Sequence, residues 1–214
     1  MTTLLVIAKE PVPGKVKTRL TPPYTPGQAA MIAEAALEDT LDAVARTPAG
    51  RRLLVLDGRP GGWLPRGFDV VAQRGGGLDE RLANAFEDAG GPAVLIGMDT
   101  PQVTPAMLVE ATGLLEENNA VFGPAEDGGF WLLGLREPQP GLPRGVPMSR
   151  SDTGACQLQR LSGLRVATLV TLTDVDTVAD AVRVAAQAPG TRFAAALSRA
   201  GQASREQAAA LEGA

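Results

Sequence analysis

The 214 residues are 44 % hydrophobic, enough to bury a full core, and carry 20 basic against 24 acidic side chains for a formal net charge of −4. An acidic balance with 4 % aromatic residues excludes a broad nucleic-acid footprint and a base-stacking platform, and favours a small anionic ligand held by local positive charge. With no histidine anywhere, histidine-dependent relays, histidine bases and His-containing zinc sites are excluded.

Chemistry is therefore left to carboxylates, lysine, arginine, hydroxyls and a hard metal ion. The lone cysteine, Cys156, has no partner for an internal disulfide and reads as a small buried residue on a helix. No apolar stretch is long enough to span a bilayer, and the N-terminal run is too short for a signal peptide. A soluble, cytoplasmic protein is expected, folded as one domain over residues 1–214.

Strand-like runs alternate with helical patterns along the chain. Leu4–Ala8 is the first strand, and the stretch after it, "KEPVPGKVKTRL", holds Lys9, Lys15, Lys17 and Arg19 among two prolines and a glycine. Such a loop can surround a diphosphate or triphosphate. Pro11, Pro13 and Gly14 limit its freedom and let backbone N–H groups approach the oxygens. The G-x-x-x-x-G-K-[ST] spacing of a P-loop is absent.

Thr25-Pro26-Gly27-Gln28 is a capping box with proline at the first helical position, followed by Leu37, Leu41 and Val44 at helical spacing. Leu53–Leu56 and Asp69–Ala72 read as strands, separated by the turn-rich stretch from Pro60 to Gly67. "QRGGGLDERL" then places Gly76 where a nucleotide base could lie, or where a flexible joint would serve. The helix that follows has an apolar stripe through Leu78, Leu82, Ala85, Phe86 and Ala89.

Ala93–Gly97 is a buried strand, and Asp99 emerges just past its end before a helix opened by Thr104-Pro105. A carboxylate there can hold Mg²⁺, which uses one or two protein carboxylates plus phosphate oxygens, or it can cap the turn. Ala120–Phe122 and Phe130–Leu135 are strands flanking "GPAEDGG". That connection makes a hairpin turn, and Asp127 in it is free to bind a sugar hydroxyl or act as a base.

Pro138–Pro147 is long enough for a mobile flap, an acceptor-side loop or a poorly ordered spacer. Val166–Leu169 is the last predicted strand. Beyond it, "LTDVDTVADAV" alternates Asp174 and Asp176 on one side of an extended segment with Val175 on the other, before a helix marked by Val178, Val182 and Ala185. Thr177 and Asp180 can cap that helix, and capping by Asp176 competes with a metal role for it. The alanine-rich tail from Thr191 reads as a surface helix fraying at its end. Together these elements predict an α/β sandwich with a mostly parallel central sheet.

Four motifs occur in order: Lys9-x-Pro11-x-Pro13-Gly14-x-x-Lys17-Thr18-Arg19-Leu20, Gly97-Met98-Asp99-Thr100-Pro101, Gly123-Pro124-x-x-Asp127-Gly128-Gly129 and Asp174-Val175-Asp176-Thr177. Jointly they resemble a GT-A-like family of small bacterial glycosyltransferases of the arsenosugar-biosynthesis type, in the nucleotide-diphospho-sugar transferase superfamily. The resemblance implies a Rossmann-like α/β/α sandwich with a mixed sheet and a nucleotide or nucleotide-sugar donor. It also implies Asp99 as a ligand of Mg²⁺ or Mn²⁺, with Asp174 or Asp176 as the second metal-side carboxylate.

The Lys17–Leu20 stretch is also similar to the phosphate-binding loop of guanylyltransferases that activate phospholactate, and more distantly of molybdopterin guanylyltransferases. Glycosyl transfer, inverting or retaining, is the leading expectation, with Lys17 and Arg19 stabilising the departing diphosphate and Asp127 as base if the sugar is inverted. Nucleotidyl transfer with release of pyrophosphate, and nucleotide binding without turnover, are the alternatives. Where the family pattern has a tryptophan, this chain has Met148 in "PMSRSDTG". The acceptor, taken to be a small molecule, and the oligomeric state stay open.

Overall fold

The computed structural model describes residues 1–212. Seven strands form one sheet: β1 (Thr3–Lys9), β2 (Arg51–Asp57), β3 (Asp69–Ala72), β4 (Ala93–Ile96), β5 (Ala120–Pro124), β6 (Phe130–Leu135) and β7 (Val166–Thr168). Their spatial order is β3-β2-β1-β4-β6-β5-β7. Only β6 runs against its neighbours β4 and β5; the remaining pairs are parallel. The helices are α1 (Pro26–Ala45), α2 (Leu78–Ala89), α3 (Pro105–Glu117), α4 (Thr153–Arg160), α5 (Val178–Gln187) and α6 (Arg192–Glu212). The chain is thus a mixed α/β protein with a mostly parallel central sheet, as expected.

Strand alternation divides the sheet residues between two apolar layers. Leu4, Val6, Leu54, Leu56, Val94 and Ile96 pack on one face with Leu37, Leu41 and Val44 of α1 and Leu108, Ala111 and Leu115 of α3. Leu5, Leu53, Val55, Ala93 and Leu95 face the other way, onto Leu82, Ala85 and Phe86 of α2. Covering both faces explains why β1, β2 and β4 are continuous apolar runs.

The capping box of α1 forms: Thr25 Oγ1 accepts from Gln28 N at 3.2 Å, and Gln28 Oε1 accepts from Thr25 N at 2.7 Å. Thr104 caps α3. A reciprocal box between Thr177 and Asp180 starts α5, so Asp176 is not its cap.

Four expectations change. The α5 stripe keeps Val178 and Ala185, which pack on the core beside fully buried Ala181 and Val184, while Val182 is 58 % exposed. The C-terminal helix is no mere surface helix: Phe193, Leu197 and Ala200 are buried against Ile32 and Ala36 of α1 and Val184 of α5. Cys156 is on a helix, α4, but is half-buried.

The fourth change concerns the segment from Pro138 to Pro147, which is pinned rather than loose. Gly145 N donates to Asp79 Oδ2 at 2.8 Å, Gln157 Nε2 donates to Leu142 O at 3.0 Å, and Val146 is buried. Among the described residues no helix is long and apolar enough to cross a membrane.

Candidate active site

A cleft of about 870 Å³ lies across the carboxyl ends of β1 and β4, where open α/β sheets place their ligands. One wall is the loop after β1. Glu10 fixes its start, accepting from Arg59 N at 2.9 Å. Val16 is buried against Ala30 and Ala33 of α1, so its neighbours Lys15 and Lys17 are turned toward the cleft. Gly14 adopts φ +76°, with open space where a Cβ would sit, so the turn itself requires the glycine. Lys17 is also left-handed, at φ 47°, and begins a single 3₁₀ turn over Thr18–Leu20 whose Leu20 is fully buried.

Lys9, Lys15, Lys17, Arg19 and Gly76 line the cleft, together with Asp99, Asp127, Asp174 and Asp176. Pro11 and Gly14 shape the loop without lining the cleft. Two motifs far apart in sequence are laced together at its floor: Val175 N donates to Asp99 O at 2.9 Å and Gln102 Nε2 to Thr173 O at 2.7 Å. Val175 itself is fully buried, which aims Asp174 and Asp176 outward into the cleft.

The charges are arranged around Lys17. Its side chain is only 9 % exposed; the ammonium lies 2.6 Å from Asp99 Oδ1 and donates to the carbonyl of Val175. Arg19 pairs with Asp176. Among the described residues Asp174 has no such partner, and its Oδ1 is buried without a hydrogen bond. Burial, reinforced by the charges of Asp99, Asp127 and Asp176 and opposed by Lys17, pushes its carboxyl up to about 7. Among the described residues, no three carboxylates or thiols stand close enough together to hold an ion by themselves.

The far wall comes from the β5–β6 turn and the stretch before α4. Asp127 Oδ1 accepts from Gly129 N at 2.8 Å. Gly128, at φ +89°, presses so closely on the second stretch that a Cβ would meet Ser151 O at 1.9 Å, and Gly154 N donates to Gly128 O at 2.7 Å. Met148, Ser149, Arg150 and Thr153 thereby enter the cleft lining. Glu126 points elsewhere, to Arg183 at 3.0 Å.

Sequence reasoning missed Arg81 and gave Arg150 no role. Arg81 reaches from α2 to Asp57 and to Gln73 Oε1, both at 3.0 Å, and Gln73 Nε2 is tied to Ala8 O at 2.7 Å. Nothing local distinguishes Arg81 from a solvated helix residue; only the fold brings it to the ends of β1 and β2.

A family model described as "Uncharacterized protein conserved in bacteria (DUF2064)" matches residues 32–150, more than half of the chain. The chain belongs to this family. In this DUF2064 protein the matched region contains Asp99 and Asp127, whereas Lys17 and Asp174 lie outside it. No curated protein matches the chain significantly.

Among solved structures, a protein of Desulfovibrio desulfuricans G20, provisionally described as a nucleotide-diphospho-sugar transferase, is similar with a TM-score of 0.85. It is 28 % identical over 96 % of this chain and 98 % of that one. Rv0371c of Mycobacterium tuberculosis H37Rv, solved as a manganese complex, is 23 % identical over 86 % of this chain and 96 % of its own, with a TM-score of 0.55. The 2-C-methyl-D-erythritol 4-phosphate cytidylyltransferase of Thermus thermophilus is 19 % identical over 88 % of this chain and 100 % of that one, with a TM-score of 0.53. The last two share the fold alone. This is the fold of nucleotide-diphospho-sugar transferases and nucleotidyltransferases.

Proposed function

We propose that this protein is a divalent-metal-dependent glycosyltransferase that uses a nucleotide-sugar donor. One observation carries the reading: Asp99 and Asp174, from segments far apart in sequence, meet in one cleft beside Lys17. The residues fit a hard cation. A buried carboxylate oxygen without a hydrogen bond, next to a second carboxylate, is costly unless a cation or a proton meets it.

Asp99 and Asp174 are the ligands of this reading, and Asp176, engaged by Arg19, is held back from the ion. Bound there, Mg²⁺ or Mn²⁺ supplies Lewis-acid stabilisation of charge on a departing diphosphate. Lys9, Lys15, Lys17 and Arg19 bind the phosphates from the β1 side. Asp127 stands on the opposite wall, with one oxygen fixed by Gly129 N and the other available to take a proton from an acceptor hydroxyl. The fixed Met148–Thr153 stretch bounds the acceptor end.

Nucleotidyl transfer is the second reading, favoured by the number of cations on the β1 loop, which suits a triphosphate. Incubation with nucleotide sugars, nucleoside triphosphates and Mn²⁺, followed by product analysis, decides between them. Nucleoside diphosphate supports glycosyl transfer and pyrophosphate supports the rival. Binding without either product reduces the protein to a nucleotide-binding module.

A further inference from the structure

Lys17 has a position that phosphate binding alone does not explain. A lysine meant only for an incoming phosphate would extend into the cleft. Here the side chain is 9 % exposed and folded back, with its ammonium on Asp99 Oδ1 and on the carbonyl of Val175. The backbone pays for this with a left-handed residue that carries a full side chain, at φ 47°. Buried Leu20 on one side and buried Val16 on the other hold that backbone in place.

The ammonium therefore occupies the carboxylate cluster that the preceding reading assigns to a divalent ion. It satisfies Asp99 and leaves Asp174 Oδ1 without a partner among the described residues. Two cations cannot share Asp99 at close range without strong mutual repulsion. An ion that takes Asp99 must drive the ammonium off; with Asp174 shared by the ion and Asp176 paired with Arg19, the phosphates of a bound donor are the partner the freed ammonium meets.

We infer that the Lys17 ammonium is an internal counter-ion of the Asp99–Asp174 cluster, displaced by a divalent cation and then delivered to the donor phosphates. This rests on the metal-dependent reading above. It makes the ion and the polyphosphate bind cooperatively: the ion releases the lysine that the phosphate needs, and the phosphate stabilises the released lysine. Without a donor, the protein holds the ion weakly and keeps its acidic cluster neutralised.

The chain offers a direct readout, because its only lysines are Lys9, Lys15 and Lys17, all beside the cleft. Lys9 and Lys15 are exposed and serve as internal references wherever phosphate is absent; with pyrophosphate, Lys17 is compared with its own rate in Mn²⁺ alone. The protein is treated briefly with acetic anhydride and the rate at each lysine is read by mass spectrometry, while free Mn²⁺ is followed by electron paramagnetic resonance. In EDTA, Lys17 should react about tenfold more slowly than Lys15. Saturating Mn²⁺ alone should bring the two rates together, and Mn²⁺ with inorganic pyrophosphate should protect Lys17 again.

Bound Mn²⁺ with Lys17 still protected overturns the displacement but leaves the metal reading standing. Failure of Mn²⁺ to bind, with or without pyrophosphate, overturns both. The Lys17→Met variant gives a second measure. It should bind Mn²⁺ alone about tenfold more tightly than the wild type and lose most of the enhancement by pyrophosphate. A lysine that merely clamps the two segments would give weaker Mn²⁺ binding in that variant, and that result refutes the inference.

Discussion

Replacing Asp174 by Asn should stabilise the metal-free protein at high pH. The carboxyl titrates at about 7 in the folded state against 3.8 for the ordinary group. Between those values the folded protein keeps a proton that the unfolded chain has released. Folding stability therefore falls as pH rises through this window, and the whole cost is present above it. At about 1.4 kcal/mol per pKa unit the ceiling is about 4 kcal/mol; rearrangement of water and of Lys17 around the charge leaves about 1–2 kcal/mol.

Asparagine keeps the shape and carries no charge, so urea denaturation in EDTA should show the variant more stable by that amount at pH 8. The difference should vanish near pH 4. In thermal melts the gain at pH 8 corresponds to about 2–8 °C for a chain of this size. Mn²⁺ should raise the melting temperature of the wild type and not of the variant. A variant that is less stable than wild type by the same margin at both pH values would show that Asp174 is a structural hydrogen-bonding group, and the electrostatic account would fail.

Asp99→Asn should lower metal-dependent turnover at least about a hundredfold with an unchanged circular dichroism spectrum; retention of turnover would place the ion elsewhere. Gly128→Ala forces a Cβ onto Ser151 O from a backbone at φ +89° and should cost at least about 2 kcal/mol in chemical denaturation. A near-neutral result there would mean that the two far-wall loops are not interlocked. Phe193→Ala removes a fully buried ring between α6, α1 and α5 and should cost about 3–5 kcal/mol. A loss below about 1 kcal/mol would return α6 to the surface.

Much of the sheet was legible because its strands carry their signal locally. Leu4–Ala8 and Ala93–Gly97 are apolar on both faces, and Thr25, Thr104 and Thr177 announce their helices within four residues. The positions of Asp99 and Asp174 after β4 and before α5 also follow from local pattern plus the rule that ligands gather at strand carboxyl ends. What escaped is set by distance in sequence. That Lys17 bonds to Asp99 and Val175, that Gly128 is fitted to Ser151, and that Asp79 fastens Gly145 are facts about surfaces brought together only by the completed fold. In the α5 stripe only Val182 departs: it is apolar, but the helix turns Ala181 and Val184 inward beside Val178 and Ala185 and leaves Val182 in solvent.

The reversed strand β6 has a consequence for how this scaffold can change. Because β5 ends and β6 begins at the same rim, a five-residue reversal delivers Asp127 there without a helical crossover, and that reversal is fitted through Gly128 to Ser151 of the stretch before α4, whose Met148 packs on the core. A substitution in either of these two segments therefore presses on the other. What the cleft admits at this wall is thereby tied to the turn that carries Asp127.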